Sequence, residues 1–158
     1  MREDGSMVIH HGSLSVSTTS NADYVSAKRY LCRDRLERCV FAKLEHQAAQ
    51  THLRINSHNN DSYDSITHTL HWDPSSALRT TQGGRQSPAL GLGHEADHAT
   101  MNRAGLIRGW NHPDRGYDDA EERRVICGSE AHAARTLGES RRHNHLGSCY
   151  RVAGPTDR

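Results

Sequence analysis

His94-Glu95-Ala96-Asp97-His98 sets two imidazoles four residues apart, with a carboxylate beside the first. On a helix, positions i and i+4 lie one turn apart on one face, so both rings can converge on one metal ion. Glu95 then sits where it can reach a water held by that ion without ligating the ion itself. The chemistry this pattern points to is Zn2+-assisted hydrolysis, with Glu95 as general base. A hydrolytic zinc takes three protein ligands and keeps a fourth position for water. No H-x-x-G-x-x-H continuation follows His98, so the third ligand is expected from a downstream carboxylate: Glu122, then Glu121, Asp118 or Asp119.

These residues need elements to position them. Ser87 followed by Pro88 is a helix opening, an N-cap with proline at the first helical position, and the helix is expected to run to near Gly105. Gly91 and Gly93 inside it cost about 1 kcal/mol each against alanine, which implies another backbone approaching closely. Upstream, Ile66 to Trp72 alternates with period two, placing Ile66, His68, Leu70 and Trp72 on one face of a strand that Asp73-Pro74 ends. Downstream, Asp118 to Ile126 reads as a short helical turn with acidic residues at its start, and Ser129 to Leu137 as a second short helix. Ser75 to Gln86 reads as a mobile loop, Gly109 to Tyr117 as loop, and Arg141 to Val152 as irregular chain. Nearer the start, Met7 to His11 and Leu14 to Ser17 flank Gly12-Ser13 as a hairpin, and Leu53 to Asn56 is a short strand. Between them Tyr24 to Ala49 reads as one amphipathic helix behind a cap at Asn21 to Asp23. Cys32 and Cys39, seven apart, are expected on its buried face as free thiols.

A chain of 158 residues is one domain, and here the expected fold class is α+β with a small mixed or antiparallel sheet. Residues 1–6 and 154–158 are expected to fray. Hydrophobic residues are only 34% of the chain and the mean hydropathy is −0.86, so the core is small and a bound metal would add to its stability. Twenty basic and 19 acidic residues are interspersed, which leaves no one-sign field to draw the protein to nucleic acid or anionic lipid. No apolar run reaches the roughly 18 residues of a membrane span, and the N-terminus lacks the apolar core of a signal peptide. The four cysteines have no C-x-x-C spacing, which excludes a zinc knuckle or a thioredoxin-like motif.

Four blocks in order carry a resemblance: Leu70-His71-Trp72-Asp73-Pro74, Ser87-Pro88-Ala89-Leu90, His94-Glu95-Ala96-Asp97-His98-Ala99 and Glu121-Glu122-Arg123-Arg124-Val125-Ile126. Over Ile66 to Val152 the chain resembles the effector zinc metallopeptidases of bacterial secretion systems. These include the toxin domain at the C-terminus of a type VI secretion spike protein, and clostridial neurotoxin light chains are more distantly similar. The resemblance implies a zincin-like domain with His94 and His98 as ligands, Glu95 as base, Glu122 as third ligand and Glu121 as a neighbouring group. It also implies an effector delivered to a target cell without a signal peptide, a protein or peptide substrate there, and a cognate immunity protein or secretion apparatus as partners. Asp97 stands where such helices more often carry an apolar residue, and it is expected to face solvent.

In this mechanism Glu95 takes a proton from the attacking water and passes it to the leaving amine. The charge developing on the carbonyl oxygen needs a donor; Tyr150 is the first candidate, with His145 and Arg142 behind it. The Ile66 to Trp72 strand is the expected substrate edge, pairing with an extended peptide. The competing readings are a non-catalytic zinc-stabilised binding module and a zinc amidase acting on peptidoglycan.

Overall fold

The computed structural model describes residues 7–158, beginning with the expected hairpin, β1 (Val8–His11) and β2 (Leu14–Ser17). Gly12 turns the chain at φ +58°, where an added Cβ would lie 1.9 Å from the Glu45 carbonyl oxygen, so only glycine fits. The long helix expected from Tyr24 to Ala49 is two helices, α1 (Asn21–Leu31) and α2 (Arg35–His46). Asp34 breaks it: its backbone is extended and its carboxylate accepts from Leu36 N at 2.8 Å and Glu37 N at 3.1 Å, capping α2. The break shifts the helical phase, so Tyr24, Ala27, Leu31, Phe41 and Leu44 are buried while Cys39 is exposed and Cys32 half-buried. All four cysteines are free.

Next come β3 (Thr51–Ile55), β4 (Ser62–Asp64) and β5 (Thr69–Trp72), which complete a mixed sheet in the order β1-β2-β3-β5-β4. Its three inner strands run parallel and its two edges antiparallel. The strand expected over Ile66 to Trp72 therefore needs two corrections. It begins at Thr69, because the Asp64 carboxylate accepts from Ile66 N and Thr67 Oγ1, both at 2.8 Å, holding the preceding residues in a turn. Ile66 is 80% exposed and His68 has φ 50°. It is also not an edge. With β3 on one side and β4 on the other, its backbone is already paired, and Leu70 and Trp72 face the core.

The segment expected to be a mobile loop forms a hairpin, β6 (Ser76–Arg79) and β7 (Arg85–Gln86). Then α3 (Pro88–Thr100) runs through the middle of the protein with every residue but Gly91 buried. Trp72 pins its start by donating Nε1–H to Pro88 O at 2.8 Å. At its two glycines no backbone approaches closely. A Cβ at Gly91 would meet Asp61 Oδ2 at 2.5 Å and one at Gly93 would meet Glu37 Oε2 at 2.7 Å, so carboxylates fill those spaces. The helix ends at Thr100, short of Gly105, because Asn102 caps α4 (Arg103–Trp110) by accepting from Gly105 N at 2.8 Å.

A tight hairpin follows, β8 (Pro113–Asp114) and β9 (Asp118–Asp119), in place of an open loop. Asp119 caps α5 (Ala120–Val125); a π-helical turn (Ile126–Glu130), kinked at Gly128, leads into α6 (Ala131–Leu137). The tail is less irregular than expected, since β10 (Ser148–Arg151) pairs antiparallel with β6 to make a second sheet in the order β10-β6-β7. The last residues are held too, Pro155 O accepting from Ala89 N at 2.7 Å and the Arg158 guanidinium donating to Gly138 O at 3.2 Å. The fold class is α+β, as expected, and one core cluster joins β2, α1, α2, the large sheet, α3 and α6. Among the described residues, no helix is long and apolar enough to cross a membrane.

Candidate metal centre

From one face of α3, His94 and His98 meet with ring centroids 4.8 Å apart and planes at 80°. Their Nε2 atoms face each other at 3.1 Å. Glu122, in the first turn of α5, bridges them, with one oxygen 2.9 Å from His94 Nε2 and the other 3.2 Å from His98 Nε2. A tetrahedral ion with bonds of about 2.0–2.2 Å holds its ligand atoms roughly 3.3–3.5 Å apart, slightly wider than these separations.

The far sides of the rings decide what can occupy the space. His94 Nδ1 lies 2.8 Å from Glu130 Oε2, and His98 Nδ1 lies 3.0 Å from Glu121 Oε1. An ionised carboxylate only accepts, so in neutral imidazoles a proton on each Nδ1 matches Glu130 and Glu121 and leaves each Nε2 with a lone pair turned inward. Two lone pairs and the Glu122 carboxylate thus converge on one point, an arrangement that only positive charge stabilises. Without metal, protons supply it. Burial disfavours the charged imidazoles, but the carboxylates outweigh it: Glu122 and Glu130 push His94 up to about 10, and Glu121 and Glu122 push His98 up to about 8. Burial also opposes ionisation of Glu122, yet its hydrogen bonds with the two histidines hold it far below the usual carboxylate range.

A ring of further contacts keeps these groups in place. Glu130 is buried, which raises its pKa, but Arg142 and then His94 hold it well below the usual range. Arg142 reaches its two oxygens at 2.8 and 2.5 Å, and Gln86 Nε2 donates to it at 2.9 Å. Glu121 accepts from Arg124 at 2.9 and 2.7 Å. Asp97 does not face solvent: it is buried and accepts from Arg124 at 2.9 Å and from the Ser129 hydroxyl, tying α3 to α5 and the π turn.

Glu95 lies on the cleft wall, its Oε1 3.9 Å from His94 Nε2 and its side chain 11% exposed. The cleft is about 170 Å³ and is bordered by Asp61, Ser76, Leu78, Glu95, Arg142 and Cys149 among others. A larger hollow of about 300 Å³, among Lys43, Tyr63, Met101 and Leu106 at the C-terminal end of α3, contains no comparable group of ligands. Burial, with the charge of Glu95 adding to it, pushes Asp61 up to about 7 against a lowering backbone hydrogen bond from Asp73.

The three expected oxyanion donors separate. Arg142 and His145 line the cleft. Tyr150 does not: β10 pairs Cys149 with Leu78, on the cleft side, and Tyr150 with Ala77, on the other. The guanidinium groups of Arg79 and Arg85 lie 5.8 and 5.9 Å from its ring centroid, and its hydroxyl is buried without a hydrogen bond. The expected substrate residues Ile66, His68, Leu70 and Trp72 also lie outside the cleft lining. His94, Glu122 and His145 offer ligand atoms all within 4.8 Å of one another, and His98 joins through its contacts with His94 and Glu122. Glu130, Gln86, Arg124 and Asp61 were not foreseen. Glu130 is eight residues beyond Glu122 across a kinked turn, so no periodicity marks it. No protein-family model, curated protein or solved structure matches the chain.

Proposed function

We propose that this protein is a zinc metallopeptidase of the secreted effector type, with a zincin-like arrangement of its catalytic helix. One observation carries the reading: His94 Nε2, His98 Nε2 and the Glu122 carboxylate converge within 2.9–3.2 Å while Glu130 and Glu121 occupy both Nδ1 positions. Imidazole with carboxylate is a donor set that suits zinc, and the carboxylate partners fix the tautomers that would ligate it. His94, His98 and Glu122 would hold the ion. When bound, zinc supplies an electrophile that acidifies water and polarises an amide carbonyl.

The remaining chemistry belongs to the chain. Glu95, free of the ligand cluster yet beside it, accepts the proton of the attacking water and returns it to the leaving amine. Arg142, anchored on Glu130 and lining the cleft, is the donor best sited for the oxyanion. Delivery to a target cell, a protein substrate and a cognate immunity protein belong to the same proposal and rest on the block resemblance. The decisive comparison is between proteins cleaved in target cells by wild type and by Glu95→Ala, with zinc content measured on both. Cleavage that disappears while one zinc per chain remains is the expected result; unchanged cleavage would sink the enzyme. The rival reading, a non-catalytic zinc-stabilised module, is favoured by His145, whose ligand atom lies within 4.8 Å of those of His94 and Glu122, since a fourth protein ligand would close the site.

A further inference from the structure

We propose that His145 is a displaceable fourth ligand, closing the metal centre in the resting protein and leaving when a substrate carbonyl arrives. This rests on the metallopeptidase reading. Three imidazoles in this site are built alike. His94 and His98 each turn Nδ1 to a carboxylate and Nε2 to Glu122, and so does His145, with Nδ1 2.5 Å from Asp118 Oδ2 and Nε2 3.3 Å from Glu122 Oε2. Its ring lies nearly parallel to that of His94, at 12° and 6.1 Å between centroids. An Nδ1–carboxylate contact fixes the tautomer that leaves Nε2 free to ligate, which a purely solvated histidine has no reason to adopt.

What differs is the carrier. Glu130 and Glu121, behind His94 and His98, are 1% and 3% exposed, whereas Asp118, behind His145, is 68% exposed. His94 and His98 stand on a buried helix; His145 stands between α6 and β10 and is tied to the β8–β9 hairpin by its own N–H, donating to Gly116 O at 2.6 Å. The third arm therefore has the chemistry of a ligand on a more exposed support, and it borders the cleft beside Glu95. A hydrolytic centre needs an open position, so an ion held by His94, His98, Glu122 and His145 together would have to give up one of them. The weakest-held one is His145.

X-ray absorption at the zinc edge of the full chain tests this, on wild type, His145→Ala and Asp118→Asn, with zinc content and thermal melting recorded for each. We expect three imidazoles around zinc in wild type, two in His145→Ala, and two in wild type saturated with acetohydroxamate, a carbonyl-mimicking chelating probe. Zinc affinity, by competition with a chromophoric chelator, should weaken about 10–100-fold in His145→Ala and less in Asp118→Asn, which keeps the imidazole. Two imidazoles in probe-free wild type would overturn the proposal while leaving the three-ligand enzyme intact. Three that persist with acetohydroxamate would overturn displacement and favour the non-catalytic module. Absence of stoichiometric zinc in wild type would remove the metallopeptidase reading and this inference together.

Discussion

Two histidine–carboxylate clusters, one where α6 meets α2 and one on α3, solve the same problem differently. Where α6 meets α2, His132 Nδ1 contacts Asp34 Oδ2 at 2.5 Å. That carboxylate also accepts from Thr136 Oγ1 at 2.6 Å and from two backbone amides of α2. Burial raises its pKa, but Thr136, Glu37 N and His132 bring it below the ordinary value, so acceptors and donors are matched. At the α3 cluster they are not: with both histidines neutral, two Nε2 lone pairs and a carboxylate would face one another with no donor among them, so the cluster needs added positive charge, from protons or a cation. A histidine beside a carboxylate is a structural pair when the donors suffice, and a cation site when the acceptors exceed them.

Removing a ligand should break this contrast most severely. If the site holds zinc as proposed, EDTA should lower the wild-type melting temperature by about 10 °C for a site saturated near a thousand times its Kd, and His98→Ala should bind no zinc and show no such fall. Calorimetry with and without EDTA reads both. Next in size is Glu37, buried against Gly93 with one oxygen lacking a hydrogen-bond partner. Burial first, then the charges of Asp97, Asp34 and Glu130, push it up to about 8. Between about 4.5 and 8 the folded protein keeps a proton that the unfolded chain has lost, so stability falls as pH rises through that window and stays lower above it. Glu37→Gln should remove Glu37's share of that slope and be the more stable protein at pH 9, as urea melts at several pH values would register.

Glu130→Gln sharpens the comparison at the cation site alone. It should weaken zinc binding about 10–100-fold with little change in the metal-free melting temperature beyond that of a lost buried ion pair, measured by chelator competition. The smallest effect is expected at the matched cluster. His132→Ala should cost about 1 kcal/mol of stability and leave zinc stoichiometry and the EDTA response unchanged. A drop in zinc content there would mean that the two clusters are not separate.

Local features were the legible ones. The Ser87-Pro88 opening, the i, i+4 histidines and the acidic start of α5 each lie within one or two helical turns, where spacing alone dictates geometry. The hairpin at Gly12 was legible for the same reason. Misreadings came where two local signals competed. Asp34 could pass as one polar residue in an amphipathic run, but as a cap it stops the helix; alternation from Ile66 marked a strand that the Asp64 carboxylate shortens.

What the sequence determined by itself is a helix that carries two convergent histidines and a glutamate that is not of their number. Tertiary structure alone decided which carboxylate faces which nitrogen, since the contacts of Glu122, Glu130 and Arg142 with His94 span 28, 36 and 48 residues. It also moved Tyr150 to the far face of its strand and enclosed the expected substrate strand between two neighbours. The physical reason is that period and composition constrain a chain only over a few residues. A lone pair is satisfied by whatever the fold brings within about 3 Å, however distant in sequence.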